Sequence, residues 1–233
     1  MIKQIVCFAN SRKPNGKCFA GKDIEDKTWI RPISNRGSES LHIDEECIRD
    51  NNCKCIRCNP IIPALLDVVE VELEEYAGDA HQVENYIIGD LKWKKIGELN
   101  TEYVDQFLDS CTGGLWVDGF GTWHRKNDRV PISMGSFLND SLKLIEVKKL
   151  ILQVVVEGLD FGNPRKKVNG IFLYNGNEYI IPVTDEVIER KYLQLVEGNY
   201  SFSTSEKRIL LCLSMGKEYK GYIYKFIAGV ISI

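Results

Sequence analysis

From Lys167 to Val183 the chain reads KVNGIFLYNGNEYIIPV, two β-prone runs joined by Asn175-Gly176. Asn and Gly tolerate the positive φ angles of a type I′ turn, so this stretch is predicted to be a two-residue β-hairpin. The hairpin sets how its neighbours are read. Upstream, LKLIEVKKLILQVVVEG (Leu142 to Gly158) is rich in β-branched residues and too charged at Lys148 and Lys149 to span a membrane, so it reads as one long or bent strand. FGNP, Phe161 to Pro164, breaks it and opens a basic loop, FGNPRKKV. Downstream, Thr184 or Asp185 can cap a helix whose first turns carry Asp185, Glu186 and Glu189; Gly198 lies beyond its end, and the helix is predicted to reach about Leu195. ILLCLSM (Ile209 to Met215) and GYIYKFIAGVISI (Gly221 to Ile233) are apolar β-prone runs on either side of a polar turn, Gly216 to Lys220.

Strand, strand, strand, helix, strand, strand is the order of an OB-fold, a small five-stranded barrel that most often binds nucleic acid. The first half of the chain carries similar elements less regularly. KQIVCFA (Lys3 to Ala9) is a first strand, and TWIRPIS (Thr28 to Ser34) a second that Pro32 places at an edge or bulge. LLDVVEVEL (Leu65 to Leu73) alternates, with Val69, Val71 and Leu73 on one face and Glu70 and Glu72 on the other. NYIIG, KWKKIG and LWVDG are shorter strand candidates, and Asn100 or Thr101 caps a short helix, TEYVDQFLDS. The fold class expected is therefore all-β with short helices: two OB-fold-like barrels packed together. The N-terminal barrel would cover 1–135 with an acidic, cysteine-rich insertion at about 37–64, and the C-terminal barrel 136–233, with the halves meeting near residues 130–142.

At 233 residues and 44% hydrophobic, the chain can bury one large core or two modest ones, which excludes a disordered or fibrous protein. No run of about 18 uncharged apolar residues occurs, and the N-terminal apolar run is too short for a signal peptide, so a cytoplasmic protein is expected. Net charge is −3 but uneven: residues 1–36 carry +5, 37–90 carry −10 and 91–233 carry +2. The acidity belongs to one segment, which leaves the remainder able to build an anion-binding face.

Eight cysteines in a reducing compartment point away from a disulfide framework and toward metal wherever they cluster. CIRDNNCKCIRC places Cys47, Cys53, Cys55 and Cys58 within twelve residues. Four thiolates suit tetrahedral zinc, and a loop this polar gains from a structural zinc the folding energy that burial cannot supply; a reduced, acidic loop or a redox-labile one are the alternatives. Cys7 and Cys212 lie in apolar strand runs and read as core; Cys18 and Cys111 stay open.

For binding, an OB barrel uses the face of its second and third strands with the loops joining strands one to two and four to five. In the C-terminal barrel those loops hold Phe161, Arg165, Lys166 and Lys167, then Lys217, Tyr219 and Lys220. Rings beside cations are what unpaired strands require, the bases stacking while Lys and Arg neutralise phosphates. Arg12, Lys13 and Lys17 in SRKPNGK, with Arg31 beyond them, supply cations in the first half, and GTWHRKNDRVP adds Trp123, His124, Arg125 and Arg129. Tyr222, Tyr224 and Phe226 share one face of the last strand and read as core rather than as a stacking platform. A metal-dependent nuclease would draw on Asp67, Glu70, Glu72 and His81, yet alternation sets Asp67 opposite the two glutamates. No phosphate-binding glycine loop of either common type is present.

Taken in order, IVCFANSRKPNGKCFAGK, WIRPIS, LLDVVEVEL, HQVENYII, WHRKNDRVP, SLKLIEV, FGNPRKKV, YIIPVTDEVIERKY and LCLSMGKEYKGYIYKFIAGVI resemble the dual OB-containing domain family across nearly the whole length. The resemblance implies two OB barrels in one unit, recognition of nucleic acid, and a place in prokaryotic antiviral defence or conflict systems. It implies no catalytic residues, and the cysteine insertion is not part of it. The expected function is a non-catalytic nucleic-acid-binding sensor or adaptor, for single-stranded or structured RNA or DNA, with zinc in the acidic loop and a protein partner in a multi-component system. A protein–protein interaction module is the alternative, and the nuclease is the less favoured third.

Overall fold

A computed structural model describes residues 1–13, 16–36, 40–41, 62–159, 162–202 and 207–233. Contacts divide the chain into two compact units, Met1–Phe107 and Leu108–Ile233. The division falls ahead of the 135/136 boundary read from sequence, because residues after Phe107 make their ladder and side-chain contacts with C-terminal strands.

In the first unit the strands are β1 (Ile2–Lys13), β2 (Gly16–Asp23), β3 (Trp29–Ile33), β4 (Asp67–Tyr76), β5 (Asn85–Ile88) and β6 (Lys94–Glu98). β1 pairs with β2, β2 with β3, β3 in parallel with β5, β5 with β4, and β4 with β1 again, so five strands close into a barrel. β6 adds to β4. Val69, Val71 and Leu73 point inward with Ile5, Cys7, Phe19 and Trp93, while Glu70 and Glu72 stay half-buried, as alternation predicts. Closure requires a glycine at position 21, where a Cβ would lie 2.0 Å from the Val6 carbonyl oxygen. Pro32 sits past the two rungs that β3 makes with β2, so its missing N–H removes no bond on that side. The predicted helix after Asn100 is a 3-10 helix, Thr101–Phe107, whose Glu102 N–H donates to Asn100 Oδ1 at 3.1 Å.

The second unit contains β7 (Arg129–Pro131), a 3-10 turn at Ile132–Phe137, β8 (Leu142–Val147), β9 (Ile151–Glu157), β10 (Arg165–Tyr174), β11 (Asn177–Pro182), α1 (Glu186–Tyr192), β12 (Gly198–Ser201), β13 (Ile209–Tyr219) and β14 (Tyr222–Ser232). They form two four-stranded sheets, β11-β10-β9-β12 and β7-β14-β13-β8. The long first strand is bent at Lys148–Leu150, so that β8 pairs with β13 while β9 pairs with β10. Opposite the bend, β11 and β14 are joined by the parallel bridge Val183–Ile227. The circuit of strands is that of the first unit, but here closure rests on a bend and a bridge instead of continuous ladders. Sequence patterning made this the more regular barrel; the ladders make it the more open one. The reason lies in residues 113–128, which occupy the β11–β14 seam. LWVDG, expected as a strand, joins no ladder and bends through Trp116 and Gly119, at φ of 60° and 95°.

Local turn and cap chemistry holds. Asn175 and Gly176 adopt φ of 47° and 81°, closing β10 onto β11, and Asp185 accepts from the Val187 and Ile188 N–H groups to start α1. The interior joins Ile145, Leu152, Val154, Phe172, Tyr179, Leu211, Leu213 and Ile227. Over the first six residues of β14 the buried side chains are Ile223, Lys225 and Ile227, and Tyr222, Tyr224 and Phe226 are only half-buried, which corrects the reading of those rings as core. No helix of the described residues is long and apolar enough to cross a membrane.

Candidate nucleic-acid interface

The basic run read as a loop begins a strand. Arg165, Lys166 and Lys167 pair with Glu157, Val156 and Val155 as the first rungs of β10 on β9. Alternation then sets Arg165 and Lys167 on one face with Asn169, and Lys166 on the other, where its ammonium donates to the Leu195 carbonyl. The connecting loop turns tightly at Gly158, φ 83°, whose carbonyl accepts from Asn163 N at 3.0 Å; a Cβ at Gly158 would meet the Asn163 carbonyl oxygen at 2.4 Å.

Against this hairpin packs a segment some forty residues earlier in the chain. Thr122, Trp123, His124 and Arg125 face Glu157, Gly158, Asn163, Arg165 and Lys167 across a cleft of about 350 Å³, within the range of small-ligand pockets. Two sets of residues that sequence treated separately thus form one site. Thr122, Glu157, Gly158 and Asn163 were not foreseen as site residues; of these only Asn163 had a sequence signal, its place inside the basic run FGNPRKKV.

The cations in this cleft differ in what they have left to offer. Arg125 Nη2 donates to both Glu157 carboxylate oxygens at 2.7 and 2.8 Å, its Nε donates to Asn169 Oδ1 at 3.0 Å, and Asp128 lies 3.9 Å from Nη1. Asp128 in turn accepts from Thr122 N and Oγ1, both at 2.8 Å. Arg125 is therefore committed to building the wall. Arg165 makes one long bond to Asn163, 3.4 Å, and among the described residues neither Lys167 nor His124 has a hydrogen-bond or ion-pair partner. Trp123 is 84% exposed, its only ring contact among the described residues being His124, edge-on at 5.9 Å. An isolated exposed indole needs no explanation; one at the lip of a cleft with uncommitted cations has the parts needed to stack a base and neutralise its phosphate.

A second group surrounds the β13–β14 turn, where Lys220 and Gly221 take φ of 52° and 79°. Tyr219 is 61% exposed and lies 6.4 Å from Tyr224; Lys220 Nζ is 5.3 Å from the Tyr219 ring. Arg129 stacks on Tyr222 at 4.0 Å, and Lys217 is exposed nearby in sequence. In the first unit Arg12 is exposed and pairs across the β1–β2 ladder with Lys17, and Lys13 pairs with Gly16. Arg31 is only 1% exposed, its guanidinium 3.4 Å from Asn85 Oδ1, because β3 turns that side chain inward; it cannot serve as a surface phosphate contact. Phe161 and Cys47, Cys53, Cys55 and Cys58 lie outside the described residues. Cys7, Cys18 and Cys212 are buried and Cys111 is half-buried.

Of the nuclease set, Asp67 is buried against Lys95 at 2.6 Å and accepts from Ala64 N, Glu72 accepts from Leu91 N, and His81 is buried. Among the described residues no three His, Cys, Asp or Glu side chains form a group able to hold a metal ion.

Behind the cleft, Lys225 is fully buried. Its ammonium donates to the Val117 carbonyl at 2.8 Å and to Asp118 Oδ1 at 3.2 Å, and lies 5.6 Å from the Tyr179 ring. Asp118 Oδ2 also accepts from Tyr179 OH at 2.5 Å and Asn177 Nδ2 at 3.2 Å. Burial lowers the Lys225 pKa to about 8 against the opposing pull of Asp118 and Asp128, and burial followed by the Asp118 hydrogen bond raises Tyr179 above the ordinary tyrosine range.

Two units that share one circuit of five strands, the second with a basic, ring-bearing cleft at its first hairpin, define a protein of paired OB barrels. The chain belongs to the family described as Dual OB-containing domain, whose model matches residues 3–230. Comparisons with curated proteins and with solved structures gave no significant match.

Proposed function

We propose that this chain is a non-catalytic nucleic-acid-binding protein that takes an unpaired strand in the cleft between Trp123 and Lys167, and that it serves as a sensor or adaptor in a prokaryotic defence system. The observation that carries the binding reading is the convergence of Trp123 and His124 with Arg165 and Lys167, all without strong internal partners. Family membership adds that OB barrels commonly bind nucleic acid. The tyrosines and cations at the β13–β14 turn supply further stacking and phosphate contacts, and Arg12, Lys13 and Lys17 would contribute from the first unit. In fluorescence anisotropy the full chain is expected to bind labelled single-stranded oligonucleotides at low salt. Trp123→Ala should weaken that binding by about 1–3 kcal/mol, the worth of one stacked base. Absence of binding to RNA or DNA at low salt, with a protein partner co-purifying instead, would replace this reading by the interaction module.

The cysteine segment is proposed to hold a structural zinc, on the strength of its spacing. Metal analysis of the purified chain is expected to find about one zinc per chain, lost when Cys55 and Cys58 are both replaced by Ser. A chain without metal would leave those cysteines as reduced thiols.

A further inference from the structure

Residues 113–128 form no strand or helix of their own. Glycine occupies positions 113, 114, 119 and 121, and Trp116 and Asn127 hold φ of 60° and 56°, a region that a bulky side chain such as Trp avoids. The segment is nevertheless bonded to both margins of the open seam. On the β11 side Lys126 bridges to Ile180 and Asn127 Nδ2 donates to the Glu178 carbonyl at 2.9 Å. On the β14 side Lys225 N donates to the Asp128 carbonyl at 2.8 Å, and the Lys225 ammonium is held by Val117 and Asp118. A strained, glycine-rich strap is thus tied down without a ladder, by these polar contacts and by one apolar anchor, Leu115, which is buried in the core with Trp116 packed beside it, and it supplies one whole wall of the cleft.

Resting on the reading of that cleft as a strand-binding site, we propose that the 113–128 strap is a docking element: it opens from the β11–β14 seam and reseats, and a bound single strand holds it seated by contact with Trp123. Opening relieves the positive φ at Trp116 and returns Lys225 and Asp118 to water; it gives up the bonds to Tyr179, Glu178 and Ile180, those of Arg125 to Glu157 and Asn169, and the burial of Leu115. Opposing terms of this kind leave an element in the low-stability part of a fold, where ligands act. A ligand shifts such an equilibrium only through contacts made in one state, and the stack on Trp123 exists only when the strap is down. Free and bound protein therefore differ in the strap and not in the barrel.

Hydrogen exchange of the full chain, followed by mass spectrometry with and without an oligothymidylate of about 15 nucleotides, tests this. In free protein, peptides from 113–128 are expected to exchange about tenfold or more faster than those of β13 and β14, and saturating oligonucleotide should slow them about fivefold or more. In Trp123→Ala, an exposed change that leaves the fold intact, the bound oligonucleotide should no longer slow them. A strap as protected as β13 in free protein, or unchanged when anisotropy on the same samples shows the oligonucleotide bound, overturns the proposal and leaves the binding reading standing. An oligonucleotide that binds in no sample overturns the binding reading, and the coupling with it.

Discussion

Asp118→Ala is expected to destabilise the protein by about 3 kcal/mol at pH 7, and Lys225→Met by only about 1–2 kcal/mol. The order follows from which group is left behind. Removing Asp118 strands a fully buried ammonium with one carbonyl and takes an acceptor from Tyr179 and Asn177. Removing the Lys225 charge leaves Asp118, 20% exposed, still accepting from both. Breaking a buried pair from the side that leaves an unpaired charge is the costlier cut. Proton linkage gives a second check. The folded pKa of Lys225, about 8, is depressed below its ordinary 10.5, so the unfolded chain binds the extra proton between those values. Its contribution is present above pH 10.5 and lost as pH falls through 8, which predicts stability rising by about 2–3 kcal/mol from pH 7 to pH 10. Tyr179 acts oppositely: a raised folded pKa keeps its contribution intact below about pH 10 and removes it above. Denaturant unfolding of wild type and both variants at pH 7 and 10 checks the ranking and the slope. Lys225→Met as harmful as Asp118→Ala, or retaining the wild-type rise with pH, would contradict the assignment.

Replacing both Arg165 and Lys167 by Glu is expected to weaken single-strand binding at least about 100-fold at low salt, about 2.8 kcal/mol. Both cations lie on one face of β10 and line the cleft, so reversal removes two phosphate contacts and adds repulsion. The carboxylate introduced by Arg165→Glu would then oppose Glu157, but Arg125 continues to hold Glu157, so the local structure should persist. Lys166→Glu is the control. Its side chain lies on the opposite face near Leu195, and binding should stay within about twofold. Loss of binding in the control equal to that in the double variant would mean that net charge, and not the cleft, carries affinity.

Which parts of this were legible in the sequence follows from how local each signal is. The Asn175-Gly176 hairpin, the Asp185 cap and the inward face Val69, Val71 and Leu73 are each dictated within a few residues, and each stands in the structure. The rings of β14 were misread because the alternation of GYIYKFI suits either face. Only the distant Asp118 and Val117, which accept from Lys225, make the lysine face tolerable inside. The basic run 165–167 looked like a loop since charge and a preceding Pro mask a strand start, while its backbone pairs with Glu157, Val156 and Val155 as the first rungs of β10. The cleft itself had no single-segment signature. It exists because the strap brings Trp123 to the β9–β10 hairpin, a contact fixed by Arg125 with Glu157 and Asn169. Arg31 failed as a surface cation for the converse reason, its register on β3 turning it inward.

In the proposed function, uncommitted cations of the second unit's cleft neutralise phosphates of an unpaired strand. The most direct measurement is the salt dependence of oligothymidylate binding by wild type and by a variant carrying Arg165→Gln and Lys167→Gln. Affinity that falls linearly in log–log form, with a slope flatter by about 1.4 in the variant, at about 0.7 per phosphate contact on a single strand, is the predicted result. Equal slopes and equal affinities for the two proteins would contradict it.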